Sequence, residues 1–445
     1  MNIFSKMNVL GMISMCSPVV FAIILGFALF LPMECPAATQ VITVGALLDL
    51  TGANATFGET VKTVLEMALE DFNNEFPPVG VDGERAYRME ALVLDTGSVP
   101  QTALNQMQSF STAGIKVVLG PLTSAELEAI KDYANQNGIM IVSPSSTAVS
   151  LSIAEDNVFR LVPDDKHQAL AAALLMHFQG IKALTGLYVD DVFGRELTER
   201  VSWHMDLLGH DVPGSVSFAP GTTDFTSQLA QLNTWVEQAA QTNQYKQIAV
   251  YLIAFDECVP ILQQASQYPS LARVHWYGSD ASARNQLLIE NSVASEFAIS
   301  TCFANPIFGG NVTESPKFLS LQQRTEAQSG NAVNAHALVM YDALYLVASA
   351  YQHARQDTSL ETLKREFVRL AGMYYGATGA TILNEAGDRT LGDYDYWGVQ
   401  KEGTVYSWTR RGFFLDTWGS FPDFLYFETC TPGQEGVTNF AVYSH

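Results

Sequence analysis

Three hydroxyl side chains follow two neighbouring apolar runs in the first third of the chain. Ser124 comes shortly after the run at 115–120 and opens a helical segment, whereas Ser145 and Thr147 follow the next run, at 139–143. If both runs are parallel strands, these hydroxyls share one edge of a sheet, where small ligands bind. A helix N-terminus attracts an anion through its free N–H groups and its dipole. The structural alternatives are that Ser124 only caps the helix and that the Ser-rich segment is only a turn.

One acidic and three aromatic residues occupy comparable positions later in the chain. Asp280 follows the apolar run at 273–278, where it could bind a cation or begin a helix as its N-cap. The aromatic residues follow other predicted strands; they are Phe57, Phe193 and Phe255. A single Phe in such a loop is usually a core residue, but three in corresponding loops predict the apolar wall of a ligand pocket.

The elements that would carry these residues alternate between strand and helix. Residues 41–50 are apolar and β-branched, as in a strand buried on both faces, and a helical period of apolar residues begins at 60. Further strands are predicted at 88–95, 115–120, 139–143, 183–189, 246–254, 273–278 and 297–302. The alternation predicts an α/β protein with two Rossmann-like lobes. A hairpin is predicted around 401–403.

The first strand–helix unit also resembles a known family. Residues 41–75 comprise a strand, a Thr-Gly break, a loop that ends in Phe-Gly, and a long helix. This order is similar to the opening of the type I periplasmic solute-binding proteins, in the leucine/isoleucine/valine-binding branch that serves branched-chain amino acid ABC transporters. The later elements fit the same family through residue 402. The resemblance implies two Rossmann-like lobes joined by three hinge crossings, near 160–165, 300–304 and 393–397.

The resemblance also divides the chain into domains. It implies a signal peptide at 1–38, a first lobe at 39–162 plus 303–393, a second lobe at 163–302 plus 394–408, and a C-terminal extension of uncertain structure at 409–445. The leader has Lys6 before a long apolar run and small residues after it, as signal peptides do. A periplasmic or other extracytoplasmic location is therefore expected. Because the apolar run is longer than a usual signal core, an uncleaved membrane anchor is the alternative.

The site residues acquire roles by resemblance. A site for a free α-amino acid needs donors for the carboxylate, an acceptor for the ammonium group and a pocket for the side chain. Ser124 matches the carboxylate-binding serine of the family, and Ser145 and Thr147 match positions that contact the ligand head group through backbone and hydroxyl. Asp280 matches the acidic residue that holds the ammonium group, which is Glu in the branched-chain amino acid-binding proteins. Asp is shorter by one methylene, so a shifted ligand or a bridging water is expected.

The family often has Tyr where this chain has Phe57, Phe193 and Phe255. The loss of three hydroxyls favours a ligand with an apolar side chain over a sugar, which needs many polar partners. The resemblance thus implies capture of an apolar, branched-chain type amino acid by lobe closure, and its delivery to an inner-membrane ABC permease. The alternatives are a short amide, urea or an aromatic acid as the ligand, and a sensor or receptor domain that uses the same site.

Composition and motifs argue against other classes of protein. The net charge is −22 and no basic patch is evident, which argues against binding of nucleic acid. No GxSxG, HExxH or P-loop motif is present and the eight His are scattered, so neither enzyme activity nor a cofactor or metal site is predicted. We expect a monomer. Outside the leader the cysteines are Cys258, Cys302 and Cys430, and their spacing does not decide whether Cys302 and Cys430 are bridged.

Overall fold

The computed structural model describes residues 40–76, 87–309, 315–390, 392–415, 424–433 and 439–444. The predicted signal peptide at 1–38 lies outside these residues. Within them the chain forms two α/β lobes around two separate sheets, which confirms the predicted fold class.

The first lobe is built on a five-stranded parallel sheet with the order β2-β1-β3-β4-β5. Its strands are β1 (Gln40–Leu48), β2 (Tyr87–Asp95), β3 (Val117–Leu119), β4 (Met140–Ser143) and β5 (Val158–Arg160). Its helices are α1 (Ala55–Glu75), α2 (Pro100–Thr112), α3 (Ser124–Asn137), α10 (Pro316–Ser329), α11 (Ala335–Ala354) and α12 (Leu360–Ala371), followed by the short strands β11 (Tyr375–Gly376) and β12 (Gly379–Ala380).

Helices cover both faces of this sheet. Alternate residues of β1 point to opposite sides, so that Leu48 packs in the core that contains Phe72 of α1, and Leu47 packs in the core that contains Phe110 of α2. Helix α1 packs against α11, and α2 packs against α3. Burial on both faces explains why β1 is a continuous apolar run rather than an alternating one.

The second lobe is built on a nine-stranded sheet with the order β16-β15-β14-β13-β10-β9-β8-β6-β7. Its strands are β6 (Ala183–Val189), β7 (Asp211–Phe218), β8 (Ile248–Ile253), β9 (His275–Tyr277), β10 (Ala304–Phe308), β13 (Tyr394–Glu402), β14 (Val405–Leu415), β15 (Phe424–Thr429) and β16 (Asn439–Ser444). Its helices are α4 (Asp165–Phe178), α5 (Val192–Leu207), α6 (Thr226–Ala239), α7 (Cys258–Ala265), α8 (Gln286–Glu290) and α9 (Ser292–Ser300). Strands β6 to β10 are parallel, and β13 to β16 continue the sheet in antiparallel pairs.

Two sequence predictions are wrong at the end of this lobe. Most of the strand predicted at 297–302 is the last turn of α9, a helix that Asn291 caps by accepting the N–H of Ala294 at 3.0 Å. Strand β10 falls in the range 303–393 that was predicted for the first lobe. It pairs instead with β9 and β13 of the second sheet, where all five of its residues are buried. The chain therefore leaves the second sheet after β10 and not near 300–304.

Three passages connect the sheets: after β5, after β10 and before β13. The first and third lie side by side. Arg160 Nε contacts Asp388 Oδ1 at 2.6 Å, and Arg160 Nη2 contacts the other carboxylate oxygen at 2.7 Å, with both side chains almost fully buried. This bidentate ion pair connects the end of β5 to the segment that leads into β13.

The C-terminal extension, for which the sequence predicted no firm structure, belongs to the second lobe. Strand β14 continues past residue 408, and β15 and β16 pair beyond it. A disulfide joins Cys302, just after α9, to Cys430, just after β15. The third cysteine outside the leader, Cys258, is a free buried thiol.

Candidate ligand-binding cleft

All seven residues singled out in the sequence line one cavity of about 400 Å³ between the lobes. The first lobe contributes Phe57, Ser124, Ser145 and Thr147, and the second lobe contributes Phe193, Phe255 and Asp280. The strands that precede these residues end at the cleft in both lobes, as expected for ligand sites of parallel sheets.

The two lobes repeat one local structure at Phe57 and Phe193. Each Phe stands in the first turn of a helix and is followed by a glycine that lies against the preceding strand. A Cβ atom on Gly58 or on Gly194 would lie 2.0 Å from a backbone oxygen at that strand's end. Only glycine allows so close an approach, and the approach holds each Phe ring at the cleft. The ring of Phe193 packs with that of Phe255, with 5.9 Å between their centroids.

Ser124 is not the helix cap. Thr123 caps α3, because its hydroxyl accepts the N–H of Glu126 at 3.4 Å. The Oγ of Ser124 instead accepts the backbone N–H groups of Thr147 and Ala148, both at 3.1 Å. A hydroxyl has two acceptor positions and one proton, so the proton is what Ser124 has left to offer. Its partner in the cleft must be an acceptor, and a carboxylate qualifies.

Ser145 has the opposite capacity. Its hydroxyl donates to the carbonyl oxygen of Leu122 at 2.7 Å, so its oxygen is left to accept. Its backbone N–H points to Ser143 Oγ at 3.5 Å, and that of Thr147 is bonded to Ser124. The two backbone N–H groups are therefore used within the lobe. The Thr147 side chain is hydrogen-bonded to Asp165, so the Ser145 oxygen is the acceptor that remains for a ligand.

Asp280 is a buried carboxylate in the wall of the cleft. It is 4% exposed, and its Oδ1 has no hydrogen-bond partner among the described residues. It is not an N-cap, since Ser279 holds the cap position of the short turn that Asp280 begins. Burial raises the pKa of Asp280 to about 7, against a partial offset from the Gln168 side chain and the Ala281 N–H. A buried carboxylate without a counter-charge is destabilising, and a cation in the cleft would relieve it.

A second carboxylate, Asp165, lies behind Asp280. Gln168 connects the two, since its Nε2 donates to Asp165 Oδ1 at 2.8 Å and its Oε1 accepts the Asp280 N–H at 2.9 Å. Asp165 is fully buried. Burial, followed by the charge of Asp280, raises the pKa of Asp165 well above its usual value. A positive group at this end of the cleft would favour the ionised form of these carboxyl groups.

Six further residues line the cavity that the sequence did not single out: Asn54, Leu122, Thr123, Ala281, Asn334 and His336. His336 Nδ1 lies 3.9 Å from Asp280 Oδ2 across the cleft, and burial lowers the pKa of His336 to about 3, so the ring is neutral. His336 stands in the first turn of α11, which follows no strand. Reasoning from strand ends could not find it, and the one local signal was the Asn334 cap before an apolar helix.

Hydrogen bonds between the lobes close the cleft. The carboxylate of Asp256, in the loop after β8, accepts the hydroxyl proton of Thr56 at 3.0 Å, and its N–H donates to Ala53 O at 3.1 Å. A second link is the ion pair of Arg284 with Glu326, at 2.7 Å. These contacts hold the two lobes together beside the cavity, as a closed form of the cleft requires.

Comparison with known proteins places the chain in a family. Residues 60–402 match the model of the receptor family ligand binding region. The chain belongs to that family. An uncharacterized protein of Methanocaldococcus jannaschii is 28% identical over 381 residues, which are 82% of this chain and 88% of the relative.

Solved structures of solute-binding proteins show the same fold. The leucine binding protein of Thermotoga maritima aligns with a TM-score of 0.69 at 20% identity, over 83% of this chain and 97% of that one. A solute binding protein of an ABC transporter from R. palustris, in complex with benzoate, aligns with a TM-score of 0.67 at 16% identity, over 83% and 96%. The predicted resemblance to the Leu/Ile/Val-binding proteins is confirmed, and the two neighbours are solute-binding proteins rather than enzymes.

Proposed function

We propose that this protein captures an apolar amino acid outside the cytoplasm and delivers it to an inner-membrane ABC permease. The observation that carries the proposal is the Asp280 carboxylate, buried in the cleft wall with an oxygen that has no partner among the described residues. The ammonium group of an amino acid supplies the missing positive charge. Ser124, on the other lobe, offers a hydroxyl proton to the carboxylate.

The rest of the wall selects the side chain. Phe57, Phe193, Phe255 and Leu122 offer carbon atoms and no hydrogen bonds. A branched aliphatic side chain buries its surface there and gains about 25 cal/mol for each Å² removed from water. A sugar would leave its hydroxyls without partners against these rings.

Closure explains how one small molecule can be held firmly. The first lobe binds the carboxylate, and the second lobe then brings Asp280 and two Phe rings over the ligand. Water leaves, and the charge-assisted bonds strengthen in the lower dielectric. The role in transport is supported by the family and by the ABC-transporter context of the R. palustris protein. Within the described part of the chain, no helix has the length and apolarity needed to span a membrane.

An aromatic acid is the second candidate ligand. The benzoate complex of a structural neighbour and the three Phe of this cleft favour it. Benzoate has a carboxylate for Ser124 but no cation for Asp280. The two ligands therefore make opposite predictions for a variant that removes the charge of Asp280.

A thermal-shift screen of the purified protein, unfolded and refolded to strip bound ligand, tests the function. The panel contains the amino acids, short amides, urea and benzoate. A ligand at 1,000 times its dissociation constant stabilises a protein by about 4 kcal/mol, a clear rise in Tm. We expect a response confined to apolar amino acids. A response to benzoate or amides alone would contradict the amino-acid proposal.

The Asp280→Asn variant tests the role of the carboxylate. It should lower leucine affinity at least about tenfold, because a bond between charged groups becomes a bond to a neutral amide. The ligand-free protein should lose no stability, because a buried charge without a partner is removed. Calorimetric titration and thermal unfolding give the two readouts. The control is Asp132→Asn, whose side chain is 76% exposed. Leucine binding as tight as in the wild type would refute the assigned role, and stronger benzoate binding would favour the aromatic acid.

A further inference from the structure

A second cavity, of about 690 Å³, lies in the second lobe and shares no lining residue with the cleft. Helices α4 and α9 and strand β10 form one wall, and β13, β14 and β15 form the other. The family match ends at residue 402, before β14 begins. The cavity therefore depends on the C-terminal extension and is not a feature of the matched family region.

The walls of this cavity are mainly apolar. Leu175, Phe303, Val399 and Phe427 line it and are at least 95% buried. The Cys302–Cys430 disulfide lies at its border and fastens the end of β15 to the end of α9. Carbon-rich walls suit the apolar body of a small molecule.

A β-bulge places a guanidinium at the cavity. A register shift between Tyr396 and Trp397 makes Arg411 the extra residue of β14, and such bulges redirect a side chain. Arg411 donates to Glu428 Oε2 at 2.8 Å and to Val399 O at 3.3 Å. These bonds use two of the five N–H groups that a guanidinium carries.

Gln179 adds a second donor. Its Oε1 accepts the hydroxyl of Tyr277, and its Nε2 has no hydrogen-bond partner among the described residues. Among the described residues that line this cavity, Glu428 is the one carboxylate, and Arg411 and Gln179 both have N–H groups left to donate. The complementary ligand has an apolar body and an acceptor-rich head group, as an organic carboxylate does.

We propose that this cavity is a second ligand site, which binds an organic anion with an apolar body, of the chemical class of medium-chain fatty acids. Arg411 and Gln179 hold the carboxylate, and the apolar walls enclose the chain. The site is independent of the amino-acid site in the cleft and does not rest on the function proposed for it.

Calorimetric titration of the purified protein with octanoate tests the proposal. Arg411→Ala should weaken octanoate binding at least about tenfold, the scale of a hydrogen bond to a charged group. Glu428→Gln should strengthen it, because the guanidinium loses its competing carboxylate. Ser124→Ala, in the cleft, should leave it unchanged, and the uncharged 1-octanol should bind about tenfold more weakly than octanoate.

The opposite directions expected for Arg411→Ala and Glu428→Gln separate ligand binding from simple loss of structure. If Glu428→Gln weakens octanoate binding as Arg411→Ala does, the ion pair is structural and the proposal fails. It also fails if octanoate does not bind, or if 1-octanol binds equally well. Loss of binding in Ser124→Ala would place octanoate in the cleft and would likewise overturn it.

Discussion

Asp280, the proposed partner of the ligand's ammonium group, is unfavourable for the stability of the ligand-free fold. Its carboxylate is buried beside a second carboxylate, Asp165, and a neutral His336, and none of these supplies a positive charge. A residue selected for stability alone would be paired or apolar at this position. The same burial that destabilises the free carboxylate strengthens its bond to an ammonium group.

Because ionised Asp280 lowers the stability of the ligand-free fold but should strengthen ligand binding, stability and affinity should respond to pH in opposite directions. The pKa of Asp280 is about 7 in the folded protein, above the ordinary 3.8 that we take for the unfolded chain. Between pH 4 and pH 7 the folded protein therefore binds one more proton at Asp280 than the unfolded chain does. The stability of the ligand-free protein should therefore fall as pH rises from 4 to 7. Asp165, whose pKa is also raised, acts in the same direction.

Leucine affinity should change the other way, because the ammonium group pairs with ionised Asp280. Below pH 7 affinity should fall by up to about tenfold per pH unit, and above it affinity should level off. Titrations and unfolding curves from pH 5 to 9 measure both trends. The Asp280→Asn variant should flatten the affinity profile, and a profile of the same shape in variant and wild type would contradict the assignment.

At the scale of elements, the C-terminal strands are attached to the second lobe by covalent and hydrogen-bonded links in addition to strand pairing. Strands β14 and β15 extend the sheet of the second lobe, and the Cys302–Cys430 bridge links this extension to the end of α9. Gly433 N also donates to Ser300 O at 2.9 Å beside the bridge. Disulfides persist in oxidising compartments, which agrees with the proposed export.

Removal of this bridge should destabilise the protein. The two cysteines are 128 residues apart, and cross-linking so long a segment restricts the unfolded chain by about 4–5 kcal/mol in the loop-entropy model. A Cys302→Ala/Cys430→Ala variant should unfold at lower denaturant concentration, as should the wild type under reducing conditions. Leucine binding should persist, because neither cysteine lines the cleft. Equal midpoints in oxidised and reduced wild type would show that the bridge does not form.

At the scale of the whole molecule, the closed form depends on a few contacts between lobes. Asp256 is central, because its carboxylate accepts both from Thr56 of the first lobe and from Asn285 Nδ2, at 3.0 and 2.6 Å. In the proposed complex the ligand would add its own contacts to both lobes. The open–closed equilibrium is therefore set by the sum of these bonds.

An Asp256→Ala variant should shift this equilibrium toward the open form. Leucine, the proposed type of ligand, should dissociate faster and bind about ten- to a hundredfold more weakly, although Asp256 does not line the cavity that contains Asp280. X-ray scattering of the ligand-free variant should give a larger radius of gyration. The control is Asp190→Ala, since Asp190 pairs with Arg195 within the second lobe at its surface. A variant with wild-type affinity and size would show that closure does not need this bond.

Many residues that line the cleft could be predicted from the sequence. Apolar runs followed by Gly, Ser or Asp mark strand ends, and strand ends of a parallel sheet share an edge, so local pattern suffices to bring Ser124, Ser145 and Thr147 together. The Phe-Gly pairs likewise indicate a close approach of helix to strand, because only glycine fits against the strand end. His336 was not predicted as a site residue, because its position depends on how α11 packs against the first lobe, hundreds of residues after that lobe begins.

The role of Ser124 and the lobe to which β10 belongs required the tertiary structure, because both depend on contacts between residues that are far apart in the sequence. Whether Ser124 caps a helix or offers a proton was settled by two N–H groups from another loop. Whether β10 belongs to the first or the second lobe was settled by its partners β9 and β13. Residue types and their periods report local conformation and burial, which gave the α/β class and the strand-end residues. Pairing of distant segments, closure of the cleft and the missing counter-charge of Asp280 are properties of the assembled fold.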